Sequence, residues 1–225
     1  WILDSPASNA MAHFLHNLLY LTGGDVDKSA QPKEVLSECY RANRIENFDT
    51  VAARIFTEED VELLFYASHA AEDDVNPAFE MEFEKGSVSY GLISSEITAK
   101  DKNGNVKNYG SPDADSPFLK LLEAIEFVHN PGEIVCGAEA AMPHVLCVNG
   151  IQESSDIVDF PRSMIYRDKM SDSIRVRNLT DYLLKSYNED LLPSEMRAAG
   201  HPGDFHWAES GRNIDLTDYG RFPRD

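Results

Sequence analysis

Residues 79–92 read FEMEFEKGSVSYGL, and this stretch decides the class of fold. Phe79, Met81 and Phe83 alternate with glutamates, which is the period of a strand with one face turned towards a core. A Lys-Gly step at Gly86 then separates this run from a second alternating run. The stretch therefore predicts an antiparallel hairpin.

Further strands are predicted on both sides of this hairpin. Four runs share its apolar or alternating character: 51–56, 61–69, 97–100 and 106–109. The last two runs flank a turn rich in Asp, Asn and Gly, so they predict a second antiparallel hairpin. Together the runs predict a largely antiparallel sheet of at least six strands.

Helical segments follow these strands as a block. They extend from about Ser116 to Val128 and from about Ala138 to Ser155. Because helices and strands are grouped and do not alternate, the sequence predicts an α+β fold, with a large, mostly antiparallel open sheet and helices packed on one face. An open sheet face that keeps apolar residues in water also predicts a homo-oligomer formed through that face.

A separate helix is predicted near the start of the chain, from Ser8 to Gly23. Its apolar side chains recur at spacings of three and four: Ala10, Met11, Phe14, Leu15, Leu18, Leu19 and Leu21. Polar side chains line the other side of the same turns: Asn9, His13, His16, Asn17 and Tyr20. Such a row is typical of a pocket wall, although a lone helix histidine is also compatible with a satisfied core position.

The spacing around His13 carries a family resemblance. Residues 1–13, WILDSPASNAMAH, are followed by LLYLTG at 18–23, so that Gly23 stands ten residues after the histidine. This run resembles the start of the substrate domain in the glucose-fructose oxidoreductase and inositol dehydrogenase family, often called Gfo/Idh/MocA. That family carries an acidic residue, three intervening residues and then histidine, with glycine ten residues further on.

The resemblance covers most of the chain and weakens after about Asp159. Residues 34–50 resemble the first sheet strand and turn of sugar-directed members. Residues 61–70 resemble a central strand, and residues 137–149 resemble the late helix that packs beside the first. The order of these segments along one chain is more specific than any one of them.

The resemblance implies roles for the polar residues. In the family the histidine is the usual acid/base for a sugar or polyol hydroxyl, and His13 takes its place. Asn9 stands where the family has the acidic residue that helps to hold substrate, and an amide cannot stabilise an imidazolium by charge. His16, Asn17 and Arg41 are further candidates for binding substrate hydroxyls.

The resemblance also implies NAD or NADP as the cofactor. No glycine-rich strand-to-helix turn and no P-loop occurs in the sequence. We therefore expect residues 1–225 to be the substrate-binding and oligomerisation domain of a longer protein, with the dinucleotide-binding domain absent from this chain. The chain alone is expected to bind no cofactor and to transfer no hydride.

Composition narrows the class of partner. The net charge is −19 over 225 residues, which disfavours nucleic acid and anionic membranes and agrees with a neutral sugar or polyol substrate. With 42% hydrophobic residues the chain can form a sizeable core without disulfides. No apolar run approaches the roughly 20 residues of a membrane span.

Neither the cysteines nor the histidines show the spacing of a metal or redox site. Cys39, Cys136 and Cys147 lack close pairing, which predicts reduced, buried thiols and a cytoplasmic protein, with a periplasmic or secreted location as the alternative. His13 and His16 have no third ligand at a matching spacing, so no metal site is predicted. His144, beside a proline, has either a core or a pocket interpretation. The aromatic segment 201–208 is expected to pack across the sheet as a C-terminal tail.

Three functions remain open on the sequence. The first is the substrate domain of an NAD(P)-dependent sugar or polyol oxidoreductase. The second is an NAD-dependent glycoside hydrolase of the same family, in which transient oxidation serves hydrolysis. The third is a non-catalytic sugar-binding or assembly domain, which the asparagine at position 9 favours.

Overall fold

A computed structural model describes residues 4–92, 94–112, 118–132 and 134–220. It divides into two compact units, of which the first joins the residues up to Asp73 to those from Val135 onward. The second unit is the intervening segment Asp74–Ile134. In chain order the elements are α1 (Ala12–Leu21), β1 (Pro32–Arg41), β2 (Thr50–Thr57), β3 (Glu62–Ser68), β4 (Phe79–Phe83), β5 (Gly86–Tyr90), β6 (Thr98–Asp101), β7 (Val106–Asn108), α2 (Leu119–His129), α3 (Ala138–Ser154), β8 (Ile157–Asp159), β9 (Ile165–Arg167), β10 (Ile174–Val176), α4 (Leu179–Asn188), α5 (Pro193–Ala198) and β11 (Ile214–Asp215).

The main sheet of the first unit is organised around β1. Its strand order is β11-β1-β2-β3, and β8 pairs in parallel with the second half of β1. The other pairings are antiparallel, with Val35 opposite Ile55 and Ile55 opposite Leu63. The run 61–70, expected as a central strand, forms β3 at the edge of this sheet, because the next strands, β4 to β7, pair with one another and do not extend it.

One face of this sheet packs against α1 and α3. Val35 and Cys39 are fully buried in a cluster with Leu15 of α1 and Ile151 of α3. The hydroxyl of Ser37 donates to the Ile151 carbonyl at 2.9 Å, which fixes α3 against the strand. These alternate residues of β1 all point to the same side.

The opposite face is covered by the C-terminal part of the chain. Tyr40 points to this side, and its ring lies 4.9 Å from that of Trp207, centroid to centroid. The Tyr66 hydroxyl donates to the Leu191 carbonyl, next to α4 and α5, at 3.1 Å. Helices therefore lie on both faces of the sheet, and the segment 201–208 packs across it as predicted. The additional layer comes from residues that follow the recognisable part of the family pattern.

Helix α1 is shorter than the predicted segment. It begins at Ala12, after an irregular turn in which Met11 N–H donates to the Pro6 carbonyl. It ends at Thr22, whose hydroxyl donates to the Leu18 carbonyl at 2.8 Å, and not at a left-handed glycine. Gly23 is required for another reason: a Cβ there would lie 2.0 Å from the carbonyl oxygen of Lys28.

The second unit contains the two predicted hairpins. Strands β4 to β7 form an antiparallel sheet of their own in sequential order. The predicted single sheet of six or more strands is therefore wrong, although its strands are present. Alternation along a chain identifies a strand, but its neighbours are chosen by packing with distant segments.

Helix α2 ends close to its predicted position and exposes most of its apolar side chains. Its predicted start at Ser116 lies outside the described residues. Leu119, Leu121, Leu122, Ile125 and Val128 are each about half exposed or more. The α+β class is confirmed, with antiparallel sheets and separate helices. Among the described residues, no helix combines the length and the apolar character needed to span a bilayer.

Candidate functional site

Histidines from two helices come together in the first unit. The rings of His16 on α1 and His144 on α3 lie 6.4 Å apart, centroid to centroid, and are nearly perpendicular at 85°. His13, one turn before His16, is close enough to act on both electrostatically. His13, His16 and His144 are named the histidine cluster below.

The core beneath α1 and α3 positions this cluster. Leu15 and Leu19 of α1 and Cys147 of α3 are fully buried in the same apolar core. His16 directly follows Leu15, and His144 precedes Cys147 by about one helical turn. Both histidines therefore lie at the rim of the core. Such placement gives the rings partial burial and a defined orientation.

His144 is additionally fixed by the backbone before α1. Its Nε2 lies 2.9 Å from the carbonyl oxygen of Ala7. Because a carbonyl only accepts hydrogen bonds, Nε2 is the nitrogen that carries the proton. The contact ties α3 to the buried turn that leads into α1.

The environment favours neutral rings at two of the three positions. Burial lowers the pKa of His16, and repulsion from His144 and His13 lowers it further. Burial also lowers the pKa of His144, with a contribution from His13, against the opposing effect of the Ala7 carbonyl. Both rings are therefore uncharged at neutral pH and can accept protons.

A cysteine completes the group. The sulfur of Cys136 lies 3.1 Å from Nε2 of His16. Cys136 is only half-buried, which corrects the prediction that all three thiols are buried, whereas Cys39 and Cys147 are buried as predicted. Cys136 comes just before α3 in a left-handed conformation, with φ of 55°.

Of the predicted site residues near the start of α1, His13 and Asn17 lie on the helix as predicted, whereas Asn9 does not. His13 and Asn17 are exposed on α1, where they can meet a ligand from solvent. Asn9 lies in the irregular turn before the helix, so it does not stack on His13 with helical spacing. Its Nδ2 donates to a carboxylate oxygen of Asp4 at 2.8 Å, which places an acidic group beside this position after all.

Arg41 is engaged elsewhere. Its Nε donates to a carboxylate oxygen of Asp159 at 2.8 Å, and its Nη1 donates to the carbonyls of Ile45 and Glu46. These contacts brace the turn after β1 against β8. The structure therefore gives this guanidinium a structural set of partners and does not bring it into the histidine cluster.

Sequence reasoning gave too little weight to two members of the group. The sequence leaves His144 between a core and a pocket interpretation, and it predicts Cys136 as a buried thiol. A signal existed for the first, because 137–149 resembles the helix that packs beside α1. No local pattern marks Cys136, since its partner is 120 positions away in sequence.

Neither α3 nor α4 begins in the way that a dinucleotide cradle requires. A dinucleotide cradle needs a strand that leads through a glycine-rich turn into a helix N-terminus. Helix α3 follows a loop, and α4 follows β10 through Asn178 and not through glycine. Within the part of the chain that the structure describes, no group of three or more His, Cys, Asp or Glu side chains is arranged to hold a metal ion.

Comparison with known proteins supports the fold at low sequence identity. No family model matches the sequence, and no curated protein matches it. Among solved structures, the chain is similar to UDP-N-acetylglucosamine 3-dehydrogenase from Acidithiobacillus ferrooxidans, with a TM-score of 0.52 and 13% identity over 64% of this chain and 46% of that one.

Two further structures show the same likeness. An NAD binding oxidoreductase from Klebsiella pneumoniae has a TM-score of 0.51 and 16% identity, over 65% of this chain and 47% of its own. A protein described as an oxidoreductase from Erwinia carotovora atroseptica has a TM-score of 0.54 and 11% identity, over 68% and 48%. The chain thus spans less than half the length of these structures, and the shared feature is the fold.

Proposed function

We propose that this chain is the substrate-binding domain of an NAD(P)-dependent sugar or polyol oxidoreductase of the Gfo/Idh/MocA type. The observation that carries the proposal is the histidine cluster, with His13 exposed at its edge, on helices α1 and α3. The fold likeness to oxidoreductases and the motif around His13 support the same assignment. The cofactor would be held by a part of the protein outside residues 1–225.

The chemistry assigned to this chain is proton transfer and hydroxyl binding. His13 accepts the proton of the substrate hydroxyl as that carbon is oxidised, and returns it in the reverse direction. The amide of Asn17, one helical turn further on, can both donate to and accept from neighbouring hydroxyls. The neutral ring of His16 offers a further hydrogen-bonding group of the same kind.

The carboxylate of Asp4 supports this role. It accepts a hydrogen bond from Asn9, in the turn that leads into α1. An acidic group in this position gives the start of α1 the negative charge that Asn9 itself lacks. We propose that Asp4 and Asn9 together replace the single acidic residue of the family motif.

A homo-oligomer is proposed through the second unit. Leu121, Leu122, Ile125 and Val128 share one face of α2, and each is at least about half exposed. A groove on the apolar face of β4–β7 is lined by residues that include Phe83 and Val88. Exposed apolar surface of this kind often marks a protein–protein contact, and a second copy of this chain is the proposed occupant. Residues of β3 are not included, because α4 and α5 pack near it.

One alternative keeps the same site without catalysis. His13 is exposed and its motif partner is an amide, which favours a sugar-binding or assembly domain that transfers no proton. The glycoside hydrolase alternative uses the same histidine and differs in the leaving group. Binding and turnover experiments separate the two catalytic functions from the binding function, and release of a sugar from a glycoside by the complete protein would identify the hydrolase.

The first experiment measures binding to the chain itself. The imidazole Cε1–H signals of His13, His16 and His144 are followed by NMR while inositol, N-acetylglucosamine or UDP-N-acetylglucosamine is added. We expect the signals of the histidine cluster to shift while those of His129 and His206 stay in place. Shifts confined to the last two histidines, or none with any sugar or polyol, would refute the proposed site.

The second experiment uses the complete protein that carries this chain. Replacing His13 by alanine is expected to reduce turnover about 10²- to 10⁴-fold, the usual loss for one positioned acid/base. Nicotinamide affinity should remain unchanged, because the cofactor is bound elsewhere. Full activity of His13→Ala with every accepted sugar would rule out His13 as the acid/base, and sugar binding without turnover in the parent would favour the binding domain.

A further inference from the structure

We propose that Cys136 is a reactive thiol, activated by His16, that is modified by soft electrophiles and peroxides. The proposal concerns control of the site described above, and in that respect it rests on the proposed function. The thiol chemistry itself depends only on the contact between these two residues. Cys39 and Cys147 in the same chain provide internal comparisons.

The ring of His16 is directed at this thiol. Nε2 lies 3.1 Å from the sulfur of Cys136. The other nitrogen, Nδ1, is buried and has no hydrogen-bond partner among the described residues. Among the described residues, the thiol of Cys136 is therefore the hydrogen-bond partner of the His16 ring.

The neighbours of the pair keep the imidazole of His16 neutral, so that its lone pair is free for the thiol proton. The titratable groups that face His16 are His13 and Tyr20 on its own helix and His144 on α3. None of these three groups is a carboxylate, so the ring stays neutral until it takes the thiol proton. A neutral imidazole in contact with a thiol is the arrangement that activates sulfur nucleophiles.

Access distinguishes this cysteine from the other two. Cys136 is half-buried, so a small reagent can reach its sulfur. Cys39 and Cys147 are buried, and burial raises the pKa of Cys147 to about 12. Selective modification at one thiol is therefore expected.

The chemical step with peroxide balances within the named groups. His16 takes the thiol proton while the sulfur attacks one oxygen of hydrogen peroxide. The S–O bond forms, the O–O bond breaks, and the departing hydroxide takes the proton from His16 and leaves as water. The sulfur is oxidised by two electrons to a sulfenic acid, and the peroxide is reduced. An adduct at this position lies against the histidine cluster, and we expect it to obstruct sugar binding there.

The test compares labelling rates in the native and the unfolded chain. The 225-residue chain is treated with iodoacetamide at pH 7, and each cysteine is quantified by peptide mass spectrometry. Because a half-buried thiol without assistance reacts more slowly than the same thiol in an unfolded chain, activation requires a native rate above the unfolded rate. We expect Cys136 to react about tenfold or more faster in the native chain, and Cys39 and Cys147 to be protected.

Variants identify the base. His16→Asn should bring the native rate of Cys136 below the unfolded rate, and His206→Asn, which changes an exposed histidine elsewhere, should leave it unchanged. Dimedone should trap a sulfenic acid after brief exposure to hydrogen peroxide in the parent and not in Cys136→Ser. A native rate below the unfolded rate in the parent, or a rate insensitive to His16→Asn in a folded variant, overturns the proposal. Labelling does not depend on sugar binding, so failure of one leaves the other standing.

Discussion

Replacing Glu38 by glutamine should remove a large pH dependence from the stability of this protein. Glu38 lies on β1 with its side chain fully buried. It accepts hydrogen bonds from the Tyr40 hydroxyl at 2.5 Å and from the Ser194 hydroxyl at 2.5 Å. Burial outweighs these bonds and raises the pKa of this carboxyl from 4.5 to about 7.

The sign and size of the effect follow from that difference. Between pH 4.5 and about 7 the folded chain holds a proton on Glu38 that the unfolded chain has released. The free energy of unfolding therefore decreases as the pH rises through this range, and it becomes level above it. This difference in pKa corresponds to about 3 kcal/mol in the free energy of unfolding. The loss amounts to no more than about 1.4 kcal/mol per pH unit.

Urea unfolding followed by circular dichroism from pH 4.5 to 8.5 measures this dependence. The difference between the parent and Glu38→Gln isolates the carboxyl, because His16 and His144 act in both proteins. The pKa values of those histidines are lowered, so their contribution is lost as the pH falls and has the opposite sign. Glu46→Gln, at an exposed position, is the matched control and should follow the parent. Parallel stability profiles for the parent and Glu38→Gln would show that burial does not perturb this group.

Two further changes test packing and assembly. Gly211→Ala places a Cβ 2.0 Å from the Ser37 carbonyl oxygen. The free energy of unfolding should therefore decrease by about 1–3 kcal/mol or more. Gly203→Ala, with open space around the new Cβ, is the control and should be nearly neutral. Equal midpoints of chemical unfolding for the two variants would contradict this account. Light scattering at micromolar concentration should show an oligomer for the parent and a monomer for Ile125→Asp; a monomeric parent would remove the proposed interface.

Local patterns in the sequence identify most elements of the fold but not their partners. The hairpins around Gly86 and Gly104, the strand 61–69 and the helix from Ala138 are present because their period and turn residues act over a few positions. The strand order of the main sheet depends on β8 and β11, which reach β1 from more than 100 positions away. Short strands of two or three residues carry no period that a sequence can display.

In the candidate site, too, the sequence predicts features that depend on local spacing and does not predict contacts between distant segments. His13, His16 and Asn17 can be assigned to one side of α1 because helical spacing is local. The contacts of Arg41 cannot be predicted from the sequence, since its partner Asp159 lies on β8, 118 positions further along the chain. The contact with Cys136 likewise joins two segments whose proximity is decided by the core beneath them.

The position of the second unit within the chain has a consequence for biosynthesis. Its hairpins pair neighbouring segments between Phe79 and Asn108, so they can close while the ribosome is still translating. The sheet of the first unit must wait for Ile214, which pairs with Val35. During this interval β1–β3 exist without their last neighbours and with an uncovered face. We expect this nascent stage to be the period in which the chain depends most on chaperones.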